Sequence, residues 1–112
     1  MITTHHIREF PVKGADLHLY CGRESSFRPR EGLINARMGS RHPLGYCPKC
    51  GRSHDREDSI QSFREDQLDL VGFARRIERM RKLHKEGKHI ALYCFCKPEA
   101  CHTDAIKAEV EK

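Results

Sequence analysis

The sequence predicts a small α/β domain, on three observations. Ile90-Ala91-Leu92-Tyr93-Cys94-Phe95 is continuously apolar, as in a strand covered on both faces. A long helical pattern runs straight into it, and a helix feeding a buried strand implies a crossover and a parallel pairing with an earlier strand. The length, 112 residues, suits one domain, 1–112, with room for a core and none for a second domain.

The elements follow in order. Thr3 to Phe10 alternates weakly and stops at Pro11, which predicts a short first strand. Lys13-Gly14 reads as a turn, and Leu17 to Cys21 as a second strand ended by Gly22. The two are expected to form a hairpin or to lie side by side. From Arg23 to Arg56 the pattern loses its period, with Pro29, Gly32, Gly39, Pro43, Gly45, Pro48 and Gly51 in it. So long a loop needs a function or a clamp, and a metal would serve. Ser53 or Asp55 can then cap a helix that Glu57 and Asp58 suit by charge. Its apolar stripe reads Ile60, Phe63, Leu68, Val71, Ala74, Ile77, Met80, Leu83 and His84, with Gly72 as a kink or a break between two helices. Gly87 is placed to end it, near Lys82, Lys85 and Lys88. After the strand from His89 to Cys96, the Lys97-Pro98-Glu99 turn leads to a final helix. His102 or Thr103 would cap it, and Ala105, Ile106 and Val110 would form its buried face.

Composition narrows the functional classes. Tryptophan is absent and 33% of residues are charged, so the core is expected to be thin and single-layered under a charged surface. No run approaches the roughly 20 apolar residues of a membrane span. Met1 to Phe10 has no apolar segment of the secretory type, and six cysteines without such a signal point to a reducing, cytoplasmic setting. Lys and Arg exceed Asp and Glu by 21 to 16, a surplus that permits an acidic partner without requiring one.

Two constellations carry chemistry. In the first, Cys94 and Cys96 share a strand face, and the turn at Pro98 brings Cys101 and His102 back to the start of the last helix. Thiolates and anions are both favoured at a helix N-terminus, so the group suits a nucleophilic cysteine or a bound anion such as phosphate. Three cysteines and a histidine also match the ligand preferences of zinc. In the second, His42, Cys47, Cys50 and His54 are spaced His-x4-Cys-x2-Cys-x3-His. Cys47-Pro48-Lys49-Cys50-Gly51 looks like half of a zinc ribbon, and four such ligands would make a structural zinc site. Arg75, Arg76, Arg79, Arg81, Lys82, Lys85 and Lys88 crowd the long helix. That stripe over 75–88 could follow a nucleic-acid backbone, although a solvated outer face explains it as well.

Four blocks resemble the phage and bacterial domain-of-unknown-function 4326 family. They are Leu19-Tyr20-Cys21-Gly22-Arg23; Met38-Gly39-Ser40-Arg41-His42-Pro43; Arg56-Glu57-Asp58-Ser59-Ile60 with Phe63; and Leu92-Tyr93-Cys94-Phe95-Cys96 with Pro98, Cys101 and His102. The chain departs from the family at Ser40-Arg41-His42, where a Gly-Asn-Pro-like turn is usual, and at Thr103, which replaces a glycine. The Cys47–Cys50 loop, about 40–55, looks like an insertion. The resemblance implies a small Rossmann-like layer, a short and mostly parallel sheet with flanking helices, and a shared site without naming a reaction.

The expected function is binding of an anionic small molecule, nucleotide-like or phosphorylated. Gly22, Arg23, Cys101 and Thr103 would hold it. If the site is catalytic, Cys94 or Cys96 is the nucleophile and His102 the acid–base group. The alternative is a zinc-stabilised module that binds nucleic acid or protein without catalysis. The oligomeric state is left open.

Overall fold

In the computed structural model, the structure describes residues 1–40, 45–47, 51–67, 70–95, 97 and 99–112, with 45–47, 52 and 54 described by their backbone alone. Four strands form one sheet: β1 (Ile2–His6), β2 (Leu17–Tyr20), β3 (Leu33–Asn35) and β6 (Ile90–Cys94). Their spatial order is β1-β6-β2-β3, and every pairing is parallel. A separate antiparallel pair joins β4 (Gly45–Cys47) to β5 (Arg52–His54). The helices are α1 (Arg56–Asp66), α2 (Val71–Lys85) and α3 (His102–Glu111).

β6 is the central strand, as its unbroken apolar run predicts, and all five of its residues are buried. Its parallel pairing with β2 is also as expected, Leu17 opposite Ile90 and Tyr20 opposite Tyr93. The expectation of β1 beside β2 fails, because β6 lies between them. β1 stops at His6, and Ile7–Glu9 forms a 3-10 turn instead of continuing the strand to Phe10. His6 Nδ1 accepts the Arg8 amide and Glu9 caps the His6 amide, so local bonds turn the chain out of the sheet. The stretch 23–56 is less irregular than its glycines and prolines suggest, since it contains β3, β4 and β5.

The helical pattern is carried by two helices, α1 ending at Asp66 and α2 beginning at Val71, which resets its phase; Leu68 of the expected stripe lies outside the described residues. Asp55 caps α1 by accepting the Asp58 amide at 2.7 Å. In α2 the buried face is Phe73, Ile77 and Met80, while Val71 and Ala74 of the expected stripe are exposed. A stripe carried in one register through the break misplaces that first turn. Gly87, at φ +84°, takes the left-handed conformation that follows a helix end and that side chains disfavour. α3 buries Ala105, Ile106 and Val110, as expected. Its N-cap is Cys101, one residue earlier than the sequence suggests.

The core has two parts, one on each face of the sheet, and so is not single-layered. Phe63, Phe73, Ile77, Met80, Ala105, Ile106 and Val110 of the helices pack on Ile2, Leu19, Ile90 and Leu92. On the other face Ile7, Tyr20, Leu33, Ala91 and Tyr93 gather with Phe10, Val12, Ala15 and Phe27. Loops, not helices, cover this second face. At about 25 cal/mol per Å² of apolar area, burial on both faces is what gives so short a sheet its stability. Among the described residues no helix is long and apolar enough to cross a membrane.

Candidate functional site

Because the four strands are parallel, their carboxyl ends share one edge, and α3 begins there. β6 delivers Cys94 to this edge; Cys101, His102 and Thr103 follow at the start of α3. Cys101 Sγ is 3.0 Å from Cys94 Sγ and 3.4 Å from His102 Nδ1. Cys94 Sγ is 3.9 Å from the Thr103 hydroxyl. All four are buried: 1% exposed for Cys94, 2% for Cys101, 9% for His102 and 0% for Thr103. The Cys101 amide donates to Asp104 at 3.0 Å, which fixes the first turn of α3. Arg56 ties the preceding turn to α1 by donating to the Ala100 carbonyl at 2.9 Å.

His102 links this cluster to the β2 end. Its Nε2 lies 2.5 Å from the Cys21 carbonyl. A carbonyl only accepts, so Nε2 carries the proton and the lone pair of the neutral ring is on Nδ1. The edge of the Phe63 ring packs against the imidazole at 5.2 Å. Gly22 is buried beside Cys21, and two close approaches show why glycine is needed there. A Cβ on Gly22 would stand 2.4 Å from the Tyr20 hydroxyl, and one on Gly39 would stand 2.5 Å from the Gly22 carbonyl. The loops after β2 and β3 therefore pack backbone to backbone, and Gln67 donates to the Gly39 carbonyl at 3.2 Å to hold them. The Cys21 thiol is fully buried, and burial pushes its pKa far up, with Cys94 adding to the effect.

Of the residues singled out from sequence, the structure brings Cys94, Cys101, His102 and Thr103 together and sets Gly22 next to the carbonyl that orients His102. Arg23 is exposed, and it meets the group through its backbone, where its carbonyl accepts the Tyr20 hydroxyl at 2.8 Å. Cys96 lies outside the described residues. So do His42 and Cys50 of the zinc set, and the side chains of Cys47 and His54. The β4–β5 backbone sets Cys47 opposite Arg52 and Gly45 opposite His54. Of the basic stripe, Arg75, Arg79, Lys82, Lys85 and Lys88 are exposed. Arg81 is committed to α3, donating to the Glu109 carbonyl at 2.6 Å and pairing with Glu78.

A cleft of about 430 Å³ opens on the same edge, lined by Thr4, His5, His6, Arg8, Glu9 and Lys97. It adjoins the cysteine cluster, because His6 is the register partner of Cys94. Lys97 pairs with Asp104 on the first turn of α3, so one cation joins the cleft to the helix start. His5 sits between the Thr3 hydroxyl at 2.8 Å and the Glu9 carboxylate at 3.9 Å. Desolvation lowers its pKa, partly opposed by Glu9, while His89 and Lys97 push it down further. Phe95, 52% exposed, meets the His6 ring edge-on at 5.7 Å. Sequence reasoning missed this cleft. Its only signal was the run His5-His6-Ile7-Arg8-Glu9 at the end of a strand, and Lys97 joins from the far end of the chain.

No curated protein and no solved structure matches the chain. Residues 5–112 do match a family model, described as Domain of unknown function (DUF4326), that takes in the thiol cluster, the glycine loops and nearly all of the cleft. On that match over almost its whole length, the chain belongs to this family.

Proposed function

We propose that the protein binds an anionic ligand, nucleotide-like or phosphorylated, at the carboxyl edge of its sheet. The cleft beside β6, with Arg8 and Lys97 in its wall, is the observation that carries the reading. A cleft of this size falls within the range of small-ligand sites. In open α/β layers, the Rossmann-like arrangement among them, ligands bind beyond the carboxyl ends of the strands. Arg8 and Lys97 would meet the negative charge, Phe95 and His6 would offer ring faces to a base, and the Lys97–Asp104 pair would couple the ligand to α3. Gly22, Arg23, Cys101 and Thr103 belong to the supporting wall in this reading. A nucleophilic role for Cys94 or Cys96, with His102 as acid–base partner, is the catalytic form of the same proposal. It requires the cleft to open onto Cys94, which is nearly sealed.

The test is a thermal-shift and calorimetric screen of nucleoside phosphates and inorganic phosphate. At about 100 times its Kd, a true ligand stabilises by about 2.7 kcal/mol. Arg8→Ala and Lys97→Ala should each weaken binding by about ten- to a hundredfold, as expected when a charge-assisted hydrogen bond worth about 1.5–3 kcal/mol is lost. The reading is refuted if none of these anions stabilises the protein, or if both variants bind as the parent does.

We also propose a structural zinc at His42, Cys47, Cys50 and His54. Support comes from Gly51, at φ +69° immediately after Cys50, because the turn of a Cys-x2-Cys-Gly knuckle needs a left-handed glycine. The alternative role, a zinc-stabilised module on nucleic acid through the exposed cations of α2, would show as binding that falls steeply with salt.

A further inference from the structure

The thiol cluster has a property that ligand binding does not use. Cys94 Sγ and Cys101 Sγ stand 3.0 Å apart. A disulfide needs about 2.05 Å. A tetrahedral zinc, with bonds to sulfur of about 2.3 Å, would hold the two sulfurs about 3.8 Å apart. The pair is therefore closer than two ligands of one ion, and about 1 Å of closure separates it from a bond. Cys101 also has a base in position. The Cys21 carbonyl keeps the His102 proton on Nε2, so Nδ1 is the unprotonated nitrogen, 3.4 Å from Cys101 Sγ.

We propose that Cys94 and Cys101 form a reversible dithiol–disulfide pair, with Cys101 the thiol that reacts with a hydroperoxide and His102 Nδ1 its base. The proposal does not depend on the ligand reading. In the first step His102 Nδ1 takes the Cys101 proton, and the thiolate attacks one oxygen of hydrogen peroxide. The O–O bond breaks, Cys101 becomes a sulfenic acid, and the departing hydroxide takes the proton from His102 and leaves as water. In the second step the Cys94 sulfur attacks Cys101 Sγ. The S–O bond breaks, the Cys94 proton joins the leaving hydroxyl, and a second water forms. Two thiols are oxidised to one disulfide, and one peroxide is reduced to two waters. Burial restricts the oxidant to something this small, since the two cysteines are only 1% and 2% exposed. The new bond would join the end of β6 to the N-cap of α3. Cys21, fully buried with its S–H directed at the Leu19 carbonyl 3.8 Å away, has no such base among the described residues and serves as the internal control.

The experiment treats the protein with equimolar hydrogen peroxide, alkylates the remaining thiols and cleaves after Glu99, which separates Cys94 from Cys101. Mass spectrometry should show the two peptides linked, two hydrogens lighter than the reduced pair, and released by dithiothreitol. Cys96→Ser should retain the bond. Cys94→Ser should leave Cys101 as a sulfenic acid that dimedone traps. His102→Gln, with its fold checked by circular dichroism, should slow the oxidation at least about tenfold, as loss of a general base does. A bond from Cys101 to Cys96 would overturn the proposal. So would oxidation of Cys94 and Cys101 no faster than of Cys21, or zinc in the purified protein that Cys94→Ser and Cys101→Ser release.

Discussion

Replacing Gly22 with alanine tests the packing at the carboxyl edge with a single carbon. The added Cβ would lie 2.4 Å from the Tyr20 hydroxyl, 2.6 Å from Cζ and 2.9 Å from Cε1. Tyr20 is 1% exposed and its ring packs against Phe27 at 5.3 Å, so it has little room to retreat. Forcing a methyl into such a site costs about 1–3 kcal/mol. Moving the ring also breaks the bond from its hydroxyl to the Arg23 carbonyl, worth about 0.5–1.5 kcal/mol. The sum, about 2–4 kcal/mol, corresponds to a fall in Tm of about 8–16 °C for a chain of this length. Urea and thermal unfolding followed by circular dichroism read the loss directly. Tyr20→Phe alone should cost about 1 kcal/mol, and the double variant should cost less than the two singles added, because the nearest clashing atom is gone. Strict additivity, or a Gly22→Ala protein that melts within a degree of the parent, would refute the argument that glycine is required by close approach.

Phe63→Ala should lose about 3–5 kcal/mol, since Phe63 is fully buried and spans from Phe73 to His102; chemical denaturation checks it. His5 makes stability depend on pH. Its folded pKa lies below the unfolded value of about 6.5, so its contribution is complete above that pH and is lost as pH falls through the lower, folded value. Tm measured from pH 7.5 to 5 should fall less steeply in His5→Asn than in the parent. For the zinc loop, untagged protein should carry one zinc by elemental analysis. Cys47→Ser and Cys50→Ser should remove it, while Cys94→Ser should retain it.

The parts of the fold legible in sequence were those with a local cause. β6 announced itself because a strand buried on both faces needs no polar alternation, and α3 because Ala105, Ile106 and Val110 recur at helical spacing. Strand order was not legible: β1 and β2 both suit a parallel sheet, and nothing in their periodicity says that β6 will come between them. The phase of α2 was misread for a related reason, since two separate helices, one ending at Asp66 and one starting at Val71, still present apolar residues at plausible spacing. The same division holds at the site. Cys94, Cys101 and His102 sit on one strand–turn–helix unit, so sequence neighbours become spatial neighbours. The cleft joins Arg8 and Glu9 to Lys97 across most of the chain, and the orientation of His102 depends on a main-chain carbonyl, which no residue type reveals.

The central position of β6 has a consequence for how the protein is made. The amino terminus of Met1 donates to the carbonyl of Lys88, 87 positions away, and the first strand finds its partner only in the residues that follow. Until Ile90–Cys94 has been translated, β1 and β2 have no strand to lie between them. β1 must wait unpaired, and β2 with only β3 beside it, for a segment that emerges well after both. Folding dominated by such distant pairings is slow, because the cost of closing the loop comes before the contacts that reward it. The amino-terminal segments are thus open to chaperones and proteases until β6 arrives. A stop codon before residue 90 would leave β1 unpaired and one edge of β2 open, and the cell should clear such a product rather than accumulate it.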